Sequence, residues 1–95
     1  MSILRSGQIT VTTAGTAVQG NNIVTREPLG FLLKALSTNS GKIYVGNDGS
    51  DDVTSTNGFE LSAGDPPIYV EASNLNELWF DASVNGCKVC WIRVG

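Results

Sequence analysis

The feature that most constrains this chain is its punctuation. Glycines and clusters of Asn, Asp and Ser break the sequence every few residues, and short runs of β-branched and aromatic residues fill the gaps. Isolated helices shorter than about 12–15 residues are marginal in water, and no interval between breaks is that long. Short intervals rich in Val, Ile, Thr, Tyr, Phe and Trp specify strands.

The strands read off in order. Residues 8–13 alternate, with Ile9, Val11 and Thr13 on one face and Thr10 and Thr12 on the other. Ala17-Val18 and Ile23-Val24-Thr25 follow, separated by the turn Gln19-Gly20-Asn21-Asn22. Pro28 and Gly30 interrupt the ladder, because proline lacks a donor and restricts its predecessor. Phe31-Leu32-Leu33-Lys34-Ala35-Leu36 has some helical propensity, yet its length fits a buried strand better. Lys42-Ile43-Tyr44-Val45-Gly46 is a strand, and residues 47–58 are a polar loop with Val53 its one sizeable apolar residue. Phe59-Glu60-Leu61 places Phe59 and Leu61 inward. Residues 68–72 turn Ile68, Val70 and Ala72 inward, and residues 78–82 do the same with Leu78, Phe80 and Ala82, leaving Trp79 and Asp81 outward. Asn85-Gly86 is the strongest hairpin signal, since both positions tolerate positive φ. The strand at 87–94 ends the chain. About eight short strands without a convincing helix predict an all-β antiparallel β-sandwich, jelly-roll-like.

Length sets the scale of the core. A chain of 95 residues makes one domain, and a domain of this size buries only about two-thirds of the surface of its unfolded chain. The sandwich is expected over 8–95, with residues 1–7 as an N-terminal arm. Charged residues are only 16% of the chain, against about a quarter in an average domain. A surface built from Ser, Thr, Asn and Gly has a low desolvation cost and suits contact with neighbours.

Charge argues against nucleic acid. Six basic and nine acidic residues give a net charge of −3, and Arg5, Arg26, Lys34, Lys42, Lys88 and Arg93 form no cluster. Phosphate backbones select clustered cations. The opening residues lack a secretory pattern, and the longest apolar runs are too short to span a bilayer. The expectation is a soluble protein made in the cytoplasm, with no membrane partner.

Candidate chemistry is sparse. Cys87-Lys88-Val89-Cys90 has CxxC spacing, but zinc needs four ligands and the chain has two cysteines and no histidine. On a strand, residues three apart face opposite sides with Cα atoms about 10 Å apart, beyond the reach of a disulfide. Two free thiols acting as small packing groups are expected. Asp48-Gly49-Ser50-Asp51-Asp52 lacks the alternating ligands and distant Glu of an EF-hand; it reads as a solvated acidic loop, with a looser cation site left open. Without histidine, acid–base chemistry would need a strongly shifted carboxylate or lysine. The chain is expected to be no enzyme, to have no catalytic residues and to use no metal or cofactor.

The aromatic residues are more informative. Phe31, Phe59 and Phe80 fall on inward phases, whereas Tyr44, Tyr69 and Trp79 fall on the opposite phase. Tyr69 and Trp79 would meet if their strands pair through the connection at 73–77. Such a face either contacts a partner or is covered by another sheet or loop. The last strand, ending Trp91-Ile92-Arg93-Val94, is apolar on both faces, which suits a central strand or one with a partner on its outer side.

The stretch Gly7-Gln8-Ile9-Thr10-Val11-Thr12-Thr13-Ala14-Gly15-Thr16-Ala17-Val18 resembles the start of small capsid-associated proteins of tailed bacteriophages. The likeness continues through Leu33-Lys34-Ala35-Leu36 and Gly41-Lys42-Ile43-Tyr44-Val45-Gly46, then Asn57-Gly58-Phe59-Glu60-Leu61-Ser62-Ala63-Gly64 before Ile68-Tyr69-Val70. Cys87, Cys90 and the acidic loop depart from it. The resemblance implies a decoration or cement protein that binds the outer surface of a phage head, often as a homotrimer, and clamps the major capsid protein. Expected contact residues to capsid or subunit are Arg5, Tyr44, Tyr69, Trp79 and Trp91. The alternative is a carbohydrate- or receptor-binding module of a fibre or tail tip, motivated by stacking of sugars on Tyr69 and Trp79. A third reading is an accessory domain whose chemistry lies on a partner chain.

Overall fold

A computed structural model describes residues 5–25, 30–46 and 53–94. Pro28, the acidic loop at 48–52 and the first four residues of the expected arm lie outside the described residues. Eight strands follow in order: β1 (Ser6–Val11), β2 (Val18–Gln19), β3 (Gly30–Ala35), β4 (Ile43–Gly46), β5 (Phe59–Leu61), β6 (Ile68–Glu71), β7 (Trp79–Ala82) and β8 (Cys87–Arg93). They form two four-stranded sheets: sheet A in the order β1-β8-β3-β6, and sheet B in the order β2-β7-β4-β5. Every pairing is antiparallel. Strands from the two ends of the chain interleave in both sheets, which is jelly-roll connectivity. The all-β sandwich expected from the sequence is what forms, including the strand reading of Phe31-Leu32-Leu33-Lys34-Ala35.

Of the consecutive strands, only β4 and β5 are paired with each other. This overturns two local expectations. The Asn85-Gly86 turn forms, with Gly86 at φ 84°, but it carries the chain from β7 in sheet B to β8 in sheet A and so makes no hairpin. In the same way, β6 and β7 lie in different sheets. The connection between them holds a single 3₁₀ turn, Leu75–Glu77, opened by a capping box in which Asn74 accepts from the Asn76 N–H and Glu77 accepts from the Asn74 N–H. The strand expected at 23–25 shrinks to one bridge, Val24 to Asn74, flanked by the Thr25 N–H donating to Ser73 and the Leu75 N–H donating to Ile23.

Alternation fixes the core. Ile9 and Val11 of β1, Phe31, Leu33 and Ala35 of β3, and Cys87, Val89 and Trp91 of β8 point from sheet A onto Ile43, Val45, Leu61, Phe80 and Ala82 of sheet B. Ile23, Leu75 and Leu78 join the same cluster. Phe31 meets Trp91 edge-on, with ring centroids 6.1 Å apart and planes at 80°, the arrangement favoured by the ring quadrupoles. Phe59 departs from its expected core place. It has the inward phase and pairs with Val45, yet it is 59% exposed, because it lines an open cleft between the edge strands β5 and β6, while Leu61 of the same strand is buried. The sheet also begins earlier than the expected arm allows, since Ser6 and Gly7 already pair with Ile92 and Trp91.

Phe80 is completely buried in the central part of sheet B. Truncating Phe80→Ala should cost about 3–5 kcal/mol, a large share of the roughly 5–15 kcal/mol of a typical domain. A urea titration followed by tryptophan fluorescence measures the loss.

Candidate docking face

The two sheets treat their outer faces differently. On sheet B the outward residues include Tyr44, Gly46, Trp79 and Asp81. A loop at 53–58 folds over Tyr44 and Gly46, and Val53 is 4% and Tyr44 7% exposed. Its curl is held by the Gly58 N–H donating to the Thr54 carbonyl at 2.9 Å and the Thr54 N–H donating to Asn57 Oδ1 at 2.7 Å. Close approach requires Gly46 and Gly58. A Cβ on Gly58 would stand 2.6 Å from Tyr44 Cβ and one on Gly46 would stand 2.9 Å from a Val53 methyl.

A second loop covers the neighbouring strand. The Gly15 N–H donates to Asp81 Oδ1 at 2.9 Å, and the Ala82 N–H donates to the same oxygen at 2.8 Å. Asp81 has the outward phase expected for it but is only 4% exposed. Lys42 and Glu60 form an ion pair of 3.1 Å at the rim, with both side chains about half exposed. The hydrogen bond that Lys42 donates to the Glu60 carboxylate holds its ammonium above its ordinary pKa, and an exposed pair of this kind adds little to stability.

Sheet A presents a different surface. Its outward positions form cross-strand rows: Ser6, Ile92, Leu32 and Tyr69 in one, then Gln8, Cys90 and Lys34, then Thr10 and Lys88. Leu32, Cys90 and Ile92 are half-buried and Tyr69 is 49% exposed. Compared with Tyr44 and Val53 on the other sheet, these apolar side chains keep contact with solvent. Leu32, Lys34, Pro67, Cys90, Trp91 and Ile92 line a shallow depression of about 220 Å³. A second cleft, of about 360 Å³, opens between β5 and β6 and is lined by Val45, Phe59, Ile68, Tyr69, Val70 and Leu78 among others.

The five expected contact residues are thus dispersed. Tyr69 is exposed on the outer face of sheet A. Trp79 is half-buried on the outer face of sheet B, between Gln19 and Gly46. Since β6 and β7 occupy different sheets, the two rings do not sit on neighbouring strands. Tyr44 has the outward phase but is 7% exposed beneath the 53–58 loop, so little of its ring reaches the surface. Trp91 is inward and 5% exposed, in the core beside Phe31. Its Nε1 is buried without a hydrogen-bond partner among the described residues, a polar cost accepted for ring packing. Arg5 is exposed, with its carbonyl accepting from the Arg93 N–H at 2.7 Å.

Sequence reading missed Leu32 and the 53–58 cover. The doubled Leu32-Leu33 was the available signal for Leu32, because one of two adjacent strand residues must face outward. Val53, the lone apolar residue of its loop, was the signal for the cover. Cys87 is buried and Cys90 half-buried, both free, on opposite faces of β8. Among the described residues no group of three or more His, Cys, Asp or Glu side chains is arranged to hold a metal, and no helix is long and apolar enough to cross a membrane.

Removing the carboxylate in Asp81→Ala should leave the Gly15 and Ala82 N–H groups without that acceptor and cost about 1–3 kcal/mol. Asp81→Asn, which keeps an oxygen at Oδ1, should cost less. Denaturant midpoints of the two variants measure the difference.

Comparison with known proteins finds no matching family model, no matching curated protein and no matching solved structure.

Proposed function

We propose that this chain is a structural binding module, a decoration or cement protein that docks on the outer surface of a phage head and stabilises the lattice of the major capsid protein. The observation that carries the reading is the apolar stripe on the outer face of sheet A, where Leu32, Cys90 and Ile92 are half-buried and Tyr69 is 49% exposed, beside a sheet B whose outward Tyr44 and Asp81 are buried under loops and whose Trp79 is half-buried. A contiguous apolar stripe on the surface of a small domain marks a contact surface. The sequence resemblance points to the same role. Lys34 and Lys88 stand at one end of the stripe, so the matching capsid surface would offer apolar side chains beside carboxylates.

The mechanism is thermodynamic linkage. A protein that binds the assembled lattice and not its loosened form stabilises the lattice by its own binding free energy at every occupied site. Grouping copies as a trimer at three-fold positions adds avidity without stronger individual contacts. No reaction is required. The sugar-binding alternative loses the feature that motivated it, because Tyr69 and Trp79 form no shared platform in this fold.

Ile92→Glu places a carboxylate in the middle of the stripe without touching the inward face of β8. It should weaken binding to undecorated heads by about tenfold or more and leave the unfolding midpoint of the free protein little changed. The assay compares thermal rupture of heads with wild-type protein, with Ile92→Glu and with none. Heads that neither bind the wild-type protein nor gain rupture temperature from it would overturn the assignment. Undiminished binding by Ile92→Glu would move the contact to another face. A glycan array showing sharp sugar selectivity would favour the fibre-module alternative.

A further inference from the structure

A sandwich of two four-stranded sheets has four edge strands, and three of them here carry features that discourage pairing. β2 has two residues and β5 three. β6 is preceded by Pro66-Pro67 and ends on Glu71. Short length, proline and charge are the ordinary protections of a sheet edge. β1 has none of them. Ser6-Gly7-Gln8-Ile9-Thr10-Val11 is six residues long, lacks proline and charge, and pairs in unbroken register with β8 alone.

The hydrogen-bond phase of β1 follows from its two ends. The Arg5 carbonyl accepts from the Arg93 N–H at 2.7 Å and the Val11 carbonyl from the Gly86 N–H at 2.8 Å. Both odd-numbered residues therefore direct their backbone groups toward β8, and alternation assigns Gly7 and Ile9 to the same side. β8 agrees: its even residues serve β3, with the Leu36 N–H donating to Lys88 and the Val94 N–H to Gly30, so its odd residues serve β1. The N–H and C=O groups of Ser6, Gln8 and Thr10 point out of the open edge, and all three residues are exposed.

We infer that this edge pairs with a second copy of the chain, β1 against β1 in antiparallel register about a two-fold axis at Gln8. In that register Gln8 faces Gln8 of the second copy, and each Ser6 faces a Thr10. All outward backbone groups are satisfied, with about two bonds in each of three residue pairs. A shift by two residues leaves groups unpaired, and a shift by one brings the inward side chains of one copy to the outer face of the other. The same register sets Gly7 beside Ile9, keeping both on the interior side, and no charged side chain meets its own kind. A two-fold contact is self-complementary by construction, which a neutral strand with a central polar residue satisfies. The product is one continuous eight-stranded sheet made from two copies of sheet A. This pairing belongs to β1 and does not rest on the capsid reading.

The test is sedimentation equilibrium over a concentration series up to about 1 mM, with amide exchange at Ser6, Gln8 and Thr10 followed by NMR at the dilute and concentrated ends. The expected result is a reversible dimer whose formation slows exchange at those three amides. Gln8→Lys sets two like charges face to face at the axis, and Gln8→Pro removes an outward donor that β8 does not use; each should weaken dimerisation by about tenfold or more. Thermal unfolding of the dilute variants checks that the fold is kept, and if the proline variant does not fold, the lysine variant alone decides. A monomer throughout, with the three amides exchanging equally at both concentrations, overturns the inference. So does a trimer with those amides unprotected, or a dimer that both folded variants form as well as the wild type does.

Discussion

β8 is the strand through which the rest of sheet A is organised. Its odd residues bond to β1 and its even residues to β3, so both backbone edges are saturated. Its inward side chains, Cys87, Val89 and Trp91, are buried, while Lys88, Cys90 and Ile92 reach the outer face half-exposed. A strand in this position cannot slip by one residue without sending three core side chains to solvent. β1 and β3 flank β8 only because the last strand of the chain lies between them, so sheet A is complete only when its C-terminal strand is in place. Non-local pairing of this kind carries a loop-closure cost that slows folding relative to local hairpins.

The two outer faces show how a small domain distributes limited covering material. Sheet B has Tyr44 and Asp81 outward in adjacent strands. An aromatic ring and a carboxylate side by side are poorly served by bare solvent or by a bare apolar cover. The chain resolves this with two different lids: Val53 and its glycine-lined turn over the ring, and the backbone of Gly15 over the carboxylate. With those loops committed to sheet B, the outer face of sheet A is left to its strand neighbours. It tolerates exposure because its apolar members alternate with Ser6, Gln8, Thr10, Lys34 and Lys88.

Much of this was legible in the residues. Alternation in β1, β6 and β7 gave the right inward phase, and the brevity of 31–36 decided for a strand against a helix; β8 read as apolar on both faces, so Trp91, expected at a contact, lies in the core instead. What failed was every inference from nearest neighbours in sequence. Asn85-Gly86 specifies a tight turn through backbone conformation alone, and such a turn serves a crossing between sheets as well as a hairpin. Tyr69 and Trp79 shared an outward phase, but phase carries no information about which sheet a strand joins. Tyr44 and Phe59 exchanged their expected burial for a related reason. One was covered by the connection that follows its own strand, and the other lines an open cleft at the edge of the sandwich, and neither fact is encoded in a period of two. Asn74-Leu75-Asn76-Glu77 did contain a capping signal, with side-chain acceptors at its first and fourth positions.

Interface size then limits what one copy can do. Four strands at about 4.8 Å spacing and six residues at about 3.3 Å rise give sheet A a flat face of roughly 380 Å². A stable specific contact takes about 800 Å² from each partner, close to 15% of the 5271 Å² of accessible surface here. The face of sheet A supplies about half of that, and the clefts beside it, at about 220 and 360 Å³, fall below or near the lower end of ordinary ligand pockets, roughly 300–1,000 Å³. A single domain of this shape binds weakly through that face alone. Strong attachment requires either additional loops in the contact or several copies engaged together, and a sheet that extends from one copy to the next doubles the continuous apolar face at the cost of only one open edge.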